Sequence, residues 1–330
     1  MPKLRKTKAA RARRSWNCGN RLIAFNYEET GVKEAALAED MIVLDGAPLL
    51  LSLVRFMMRH RIRGAWRLFE LLKRREYFQR KIIRYEIKKG FSVHVPIYRP
   101  ERRWDRFDLL HYERELLDML VDVASTSNSP LTIVDCGADL GVISILLAVR
   151  LGRISRILAF EPNKESFSLL QKNLSGIPIA HEAFQSAVSD FAGRGELKNP
   201  DYDNNYDQSR YLVPVTEGGF SVTTLDALQL SPQDLLIKVD VEGGELAVIR
   251  GARNTIATAK SVIITTEAHP RVFGRTGIDP IVVLREIAAV RPFRFIVCET
   301  GESDLDLSKP FFEQMPTNGA YNYNVVACSN

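Results

Sequence analysis

Residues 238–245 read Lys-Val-Asp-Val-Glu-Gly-Gly-Glu, directly after the apolar run Leu235-Leu236-Ile237. Charge of both signs at the end of an apolar strand suits proton transfer or the gripping of a charged ligand. On a strand, residues two apart share a face, so Lys238 and Asp240 point the same way. A lysine in a strand buried on both faces needs a carboxylate partner. Asp240, Glu245 and Glu267 are the candidates. Four residues qualify as a general base: Lys238 with a lowered pKa, Asp240, Glu267, and His269 just beyond residues 261–266. Glu242 and Glu245 flank the next helix start, where the macrodipole favours negative charge. Gly243-Gly244 permits a tight turn with backbone close to a ligand. Asp240, Glu242 and Glu267 would make an oxygen-rich cluster, but Lys238 beside them competes with a cation, so no metal is expected.

A second set of residues lies upstream. Thr132-Ile-Val-Asp-Cys-Gly-Ala-Asp-Leu-Gly141 reads as a strand, a turn and a helix start. Such turns bring backbone to a nucleotide at the carboxyl end of a sheet. The dinucleotide fingerprint fails here, because Cys136 and Ala138 take its first two glycine positions. Asp139 would also repel a pyrophosphate at the helix N-terminus. Acids at the turn suit a cation instead, and S-adenosylmethionine carries an ammonium and a sulfonium. Its transferases use the spacing D-x-G-x-x-x-G, which this turn has. Glu161, 26 residues after Asp135 in Ala159-Phe-Glu-Pro-Asn163, ends the next strand. A carboxylate there can accept both hydroxyls of an adenosine ribose. The candidate cofactor contacts are therefore Asp135, Gly137, Ala138, Asp139 and Gly141 on the turn, with Glu161, Pro162, Asn163, Ser186 and Asp240.

The elements that must position these residues alternate in type. After the polar break at residues 125–130, strands are predicted at 131–134, 156–160, 177–183, 235–239 and 261–266. Helices are predicted at 142–151, 164–174, 245–257 and 280–290, with Asn163 as an N-cap. This alternation indicates βαβ units and a Rossmann-like, mostly parallel α/β sheet. Two further runs, 293–298 and 321–328, have no helix between them and should pair antiparallel. Before the break, residues 47–86 read as helical, 91–95 as a short strand and 112–123 as an amphipathic helix. The expected layout is a basic tail over 1–45, a mainly helical extension with a hairpin over 46–125 and the catalytic domain over 126–330. Trp104, Arg106, His111, Tyr112 and Glu113 could form a lid, and residues 201–210 a loop over the substrate. Glu242, Gly243 and Tyr112 are the candidate acceptor contacts.

Composition narrows the class. Of 330 residues, 45% are apolar and 26% charged, which are ordinary globular values. The most apolar stretch, 41–58, is broken by Asp45, Pro48 and Arg55, so no transmembrane segment or signal peptide is expected. Cys18, Cys136, Cys298 and Cys328 lack zinc-ligand spacing, and a cytosolic setting with reduced thiols is expected. The first fourteen residues carry seven Lys or Arg and no acid, and a second basic region runs over 55–84. Such runs could meet nucleic acid or an anionic membrane surface.

From about Tyr112 to Cys328 the chain resembles the FkbM family of S-adenosylmethionine-dependent methyltransferases. The resemblance rests on Ile133-Val-Asp-Cys-Gly-Ala-Asp-Leu-Gly141, Ala159-Phe-Glu-Pro-Asn163, Ile237-Lys-Val-Asp-Val-Glu-Gly-Gly-Glu245 and Thr266-Glu-Ala-His-Pro270, with Thr224-Leu-Asp226 before the fourth strand. It implies a seven-stranded methyltransferase sheet whose last strand is antiparallel. It also implies O-methylation of a hydroxyl on a sugar, glycan, lipid or secondary metabolite. The family usually has Asn where this chain has Asp139. Two other readings stay open. A nucleic-acid methyltransferase recruited by the basic N-terminus would be expected to carry Asn/Asp-Pro-Pro-aromatic where this chain has Asp-Val-Glu-Gly. A non-catalytic binding module need not keep Glu161 and the charged strand end.

Overall fold

A strand, two helices and a hairpin precede the main sheet. β1 (Ile42–Asp45) leads to α1 (Leu49–Arg59) and α2 (Ala65–Arg74), then to β2 (Lys81–Lys88) and β3 (Phe91–Pro96). These strands form a three-stranded sheet, β1 parallel to β2 and β2 antiparallel to β3. The helical reading of 47–86 therefore holds only to Arg74, and the extension is mixed rather than mainly helical. The physical reason lies in Lys81-Ile-Ile-Arg-Tyr-Glu-Ile-Lys88: its isoleucines are β-branched, and residues 83, 85 and 87 alternate on one face. α3 (Arg106–Leu110) and α4 (Arg114–Ala124) then lead into the main sheet. The computed structural model describes residues 41–74, 81–97, 106–199, 210–230, 232–315 and 322–329, all within one compact unit. The basic tail, Cys18, Trp104, the Arg106 side chain and residues 201–209 of the expected substrate loop lie outside the described residues.

The main sheet is assembled from alternating strands and helices. β4 (Leu131–Cys136), α5 (Val142–Leu151), β5 (Ile154–Phe160), α6 (Lys164–Ser175) and β6 (Ala180–Phe184) come first. Next is a polar insertion of four short strands: β7 (Ser186–Val188), β8 (Gly193–Lys198), β9 (Tyr211–Val215) and β10 (Phe220–Thr223). They make a separate sheet in the order β7-β10-β8-β9. The chain then returns through β11 (Asp234–Val239), α7 (Glu245–Arg250), α8 (Arg253–Thr258) and β12 (Ser261–Ala268). It finishes with α9 (Pro270–Thr276), α10 (Pro280–Ala288), β13 (Phe293–Val297), α11 (Phe311–Gln314) and β14 (Tyr323–Ser329). The main sheet has the order β13-β14-β12-β11-β4-β5-β6, with β14 antiparallel to both neighbours and the other pairings parallel.

Every residue of β4 and β11 is buried, as expected for central parallel strands covered on both faces. One face packs Ile133, Ile145 and Leu170 together with Leu51, Ile82 and Val93 of the N-terminal part. The other packs Val134, Ile237, Val248, Leu284 and Phe311. The expected helix over 245–257 is split at Gly251, where an added Cβ would stand 2.0 Å from the Ser189 carbonyl oxygen. Among the described residues, no helix is long and apolar enough to cross a membrane.

Candidate active site

The carboxyl ends of β4 and β11 lie side by side, in a register that sets Lys238 opposite Asp135. The Lys238 ammonium stands 3.2 Å from Asp135 and 3.2 Å from Asp240, and donates to the Gly137 carbonyl at 3.0 Å. Asp135 is 1% exposed and also accepts the Ser144 hydroxyl at 2.7 Å. Burial works to lower the Lys238 pKa, but Asp135 and Asp240 more than offset it and hold the group above its ordinary range. A lysine held charged has no lone pair for a proton, which corrects the expectation that Lys238 is a base. Asp135, expected at the cofactor, instead lies beneath the cavity as the partner of Lys238. The pairing with Asp240 was legible as a shared strand face; the pairing with Asp135 needed the register.

Gly137 and Asp139 of the turn after β4 line the cavity. Gly137 has φ +79°, and an added Cβ would come within 1.9 Å of the Asp240 carbonyl oxygen, so only glycine fits there. At the end of β5, Glu161 accepts the backbone N–H of Asp139 at 2.9 Å and of Asn163 at 2.8 Å. Asn163 caps α6 through two backbone N–H groups at 3.0 Å each. Ser186 is buried and donates to the Ser221 carbonyl at 2.8 Å. Gly141 begins α5 with φ +76° and packs towards Leu170, away from the wall.

Across from this turn, β12 ends in Glu267, which accepts from Asn322 at 2.5 Å. Burial first, then the charges of Asp240, Glu242 and Glu113, push its carboxyl well above the ordinary range. His269 caps α9, its Nδ1 accepting the Arg271 backbone N–H at 3.0 Å. Burial and the charges of Arg271 and Arg275 lower its pKa, so the ring is neutral under ordinary conditions. With Nδ1 accepting, the ring proton sits on Nε2. In this tautomer His269 is a donor at Nε2. Glu245 is buried and accepts the Gly243 N–H at 2.9 Å, closing the turn before α7.

These groups surround one cavity of about 460 Å³. Gly137, Asp139, Glu161, Pro162, Asn163 and Ser186 line it, as do Tyr112, Lys238, Asp240, Glu242, Glu267 and His269. Asp135, Ala138, Gly141 and Gly243 are not on its wall, and Gly244 takes the place expected of Gly243. Arg210, the last residue of the expected substrate loop, is on the same wall, with two cations that sequence reasoning missed, Arg271 and Arg275. Glu113, Asp139 and Glu242 all line the cavity with φ between +43° and +54°. Non-glycine residues held in that region cost on the order of 1–3 kcal/mol each and gather at functional sites. Carboxylate oxygens of Asp240, Glu242 and Glu267 lie within 4.8 Å of one another.

Parts of the chain are similar to known proteins. The methyltransferase FkbM domain matches residues 135–293. Over 196 residues the chain is 24% identical to the hexuronic acid methyltransferase AglP of Haloferax volcanii, covering 58% of this chain and 74% of that one. It also resembles, at 19% identity and a TM-score of 0.39, the crystal structure of methyltransferase FkbM from Methylobacillus flagellatus KT. That overlap spans 61% of this chain and 44% of the other, less than half its length. A looser likeness, at 12% identity and a TM-score of 0.35, joins it to M. jannaschii TYW2 in complex with AdoMet, over 75% of this chain and 85% of that one. Residues 135–293, the stretch that holds the glycine turn, Glu161 and the charged end of β11, are thus similar to the methyltransferase FkbM domain.

Proposed function

We propose that this chain uses S-adenosylmethionine to methylate a hydroxyl of a sugar-acid or glycan acceptor. The observation that carries the reading is one cavity with two differently prepared carboxylates, Glu161 and Glu267. Each Glu161 oxygen accepts one backbone N–H, which fixes the plane of the carboxylate. A carboxylate oxygen can take a second donor, so this geometry suits a vicinal diol. Gly137, with no side chain, lets the turn after β11 close against it, and Asp139 and Asp240 supply the negative charge that a sulfonium and an ammonium require. The residues present therefore fit S-adenosylmethionine, with Gly137, Asp139, Glu161, Asn163, Ser186 and Asp240 holding it. When bound, that cofactor supplies a methyl group already activated by its sulfonium.

The protein must then orient a hydroxyl and take its proton. Glu267 suits the second task, because a carboxyl raised above its usual range is a better base near neutral pH. Lys238 stays charged and holds Asp240 in place. The Nε2–H of His269 and the guanidinium groups of Arg210, Arg271 and Arg275 form a donor-rich wall matched to an acceptor bearing a carboxylate. The relative named as a hexuronic acid methyltransferase supports the same class.

The test is methyl transfer from S-adenosylmethionine to uronic-acid oligosaccharides, their neutral counterparts and RNA, with products read by mass spectrometry. Transfer to the uronic-acid acceptors is expected. Transfer to RNA alone would overturn the acceptor class. By calorimetry, Glu161→Ala should weaken S-adenosylmethionine binding by about 1–3 kcal/mol, the size of a lost hydrogen bond to a charged group; unchanged affinity would remove Glu161 from the site.

A further inference from the structure

The N-terminal part of the described chain carries an apolar face that the cavity does not use. Among the described residues eleven large apolar side chains are exposed, and ten of them lie within residues 42–110. On α1 they follow the helical repeat. Leu51, Val54 and Met58 face the core, while Leu49 (90% exposed), Leu50, Leu53 (53%) and Phe56 (55%) lie on the opposite side. A helix apolar on two faces, one of them in water, is built for a second apolar phase. The face continues to α3: the Arg59 guanidinium lies 4.6 Å from the centre of the Phe107 ring, and Phe107 and Leu110 are themselves exposed.

The charge around this face is mostly positive: α3 adds one acid, Asp108, which pairs with Arg59 at 3.7 Å. Residues 46–69 contain five arginines and no acid. Arg59, Arg61, Arg63 and Arg67 are exposed beside the leucines, while Arg55 turns inward to the Tyr85 hydroxyl at 2.9 Å. Exposed leucine and phenylalanine rimmed by arginine is the chemistry of a helix lying in a lipid interface. Nucleic acid would satisfy the arginines and leave the leucines in water. The chain's own first fourteen residues, with seven Lys or Arg and no acid, would be repelled by the rim.

We infer that α1 and α3 form a docking face for an anionic lipid surface. The face adjoins the cavity, because the segment that carries Phe107 and Leu110 goes on to supply Tyr112 and Glu113 to the cavity wall. Docking therefore holds the cavity close to acceptors displayed at a membrane. Apolar burial of the α1 face supplies the salt-resistant part of the attachment, and the arginines the salt-sensitive part.

Vesicle flotation of the full chain tests this. The protein is expected to float with phosphatidylcholine vesicles containing phosphatidylglycerol, and only weakly with phosphatidylcholine alone. The L49S/L53S/F56S variant, altered only at exposed positions, is expected to lose roughly tenfold or more in vesicle affinity with an unchanged thermal midpoint, as expected when inserted apolar side chains are removed. R61E/R63E is expected to lose binding at low salt. No flotation of the wild-type chain would overturn the proposal, as would full vesicle affinity in the serine variant. So would a dimer that the serine substitutions dissolve, or equally tight RNA binding that they leave untouched.

Discussion

Glu267 faces two opposed demands. Its folded-state pKa is raised by burial and by Asp240, Glu242 and Glu113, above an ordinary value of 4.5. A carboxyl raised on folding favours the native state while protonated. That contribution is complete below pH 4.5 and is lost as pH rises through the folded value. Proton abstraction needs the other form, so the methyl-transfer rate should climb across the same window in which stability falls. Glu267→Gln is expected to abolish this limb of the pH–rate profile and lower kcat by about 10²–10⁴-fold. It should also raise the melting temperature at pH 8. A variant with wild-type kcat would mean that the acceptor reaches the site already ionised. Lys238 poses the converse case. Lys238→Met leaves Asp135, 1% exposed, without its counter-ion, at a cost of about 3–5 kcal/mol in urea unfolding. Lys238→Met with Asp135→Leu should recover much of that loss, because the pair then disappears together.

At the level of elements, the site depends on two turns that touch. The turn after β4 and the one after β11 meet where Gly137 abuts the Asp240 carbonyl. Gly137→Ala should therefore destabilise the fold by about 1–3 kcal/mol, the range for overpacking, and weaken cofactor affinity more than Ala substitution at solvent-facing Gly152, where an added Cβ meets nothing within 4 Å. Equal effects on binding would separate the two turns. Such contacts explain what could be read from the chain. β4, β5, β11 and β12 are apolar runs closed by turn residues, and their order announces a parallel sheet before any contact is known. The charged end of β11 was readable for the same reason, since strand alternation alone pairs Lys238 with Asp240. The insertion β7–β10 was not readable, because its strands are short, partly polar and stabilised by pairing with one another. β2 was not readable as a strand because no glycine or proline separates it from the helical pattern of α2, so the sequence carries no break there. The break at Gly251 comes from contact with Ser189, and the arginine wall combines Arg271 and Arg275 of α9 with Arg210 of the insertion; neither leaves a local signal.

On the scale of the whole molecule, the N-terminal sheet is not an independent appendage. Leu51, Ile82 and Val93 share one continuous core with Ile133, Ile145 and Leu170 of the main sheet and its helices. The seam is held by Asn173, which has no exposed surface and sits on α6. Its side chain accepts the His94 N–H at 2.6 Å and donates to the carbonyls of His94 at 3.0 Å and Leu140 at 2.8 Å. Leu140 belongs to the turn between β4 and α5, so one amide links β3, α6 and the cofactor side of the cavity. With no separate core and a shared buried amide, residues 41–329 should unfold in one cooperative step. Asn173→Ala orphans several buried backbone groups, each worth about 1–3 kcal/mol, and should shift the urea midpoint without changing the slope. A biphasic transition, or a reduced slope, would show that the N-terminal sheet melts alone. S-adenosylmethionine binding distinguishes the same cases, because α4 and the residues before it supply Tyr112, Glu113 and Leu116 to the cavity wall. If the unit is cooperative, affinity disappears at the global midpoint; if the extension melts first, affinity is lost before the main sheet unfolds.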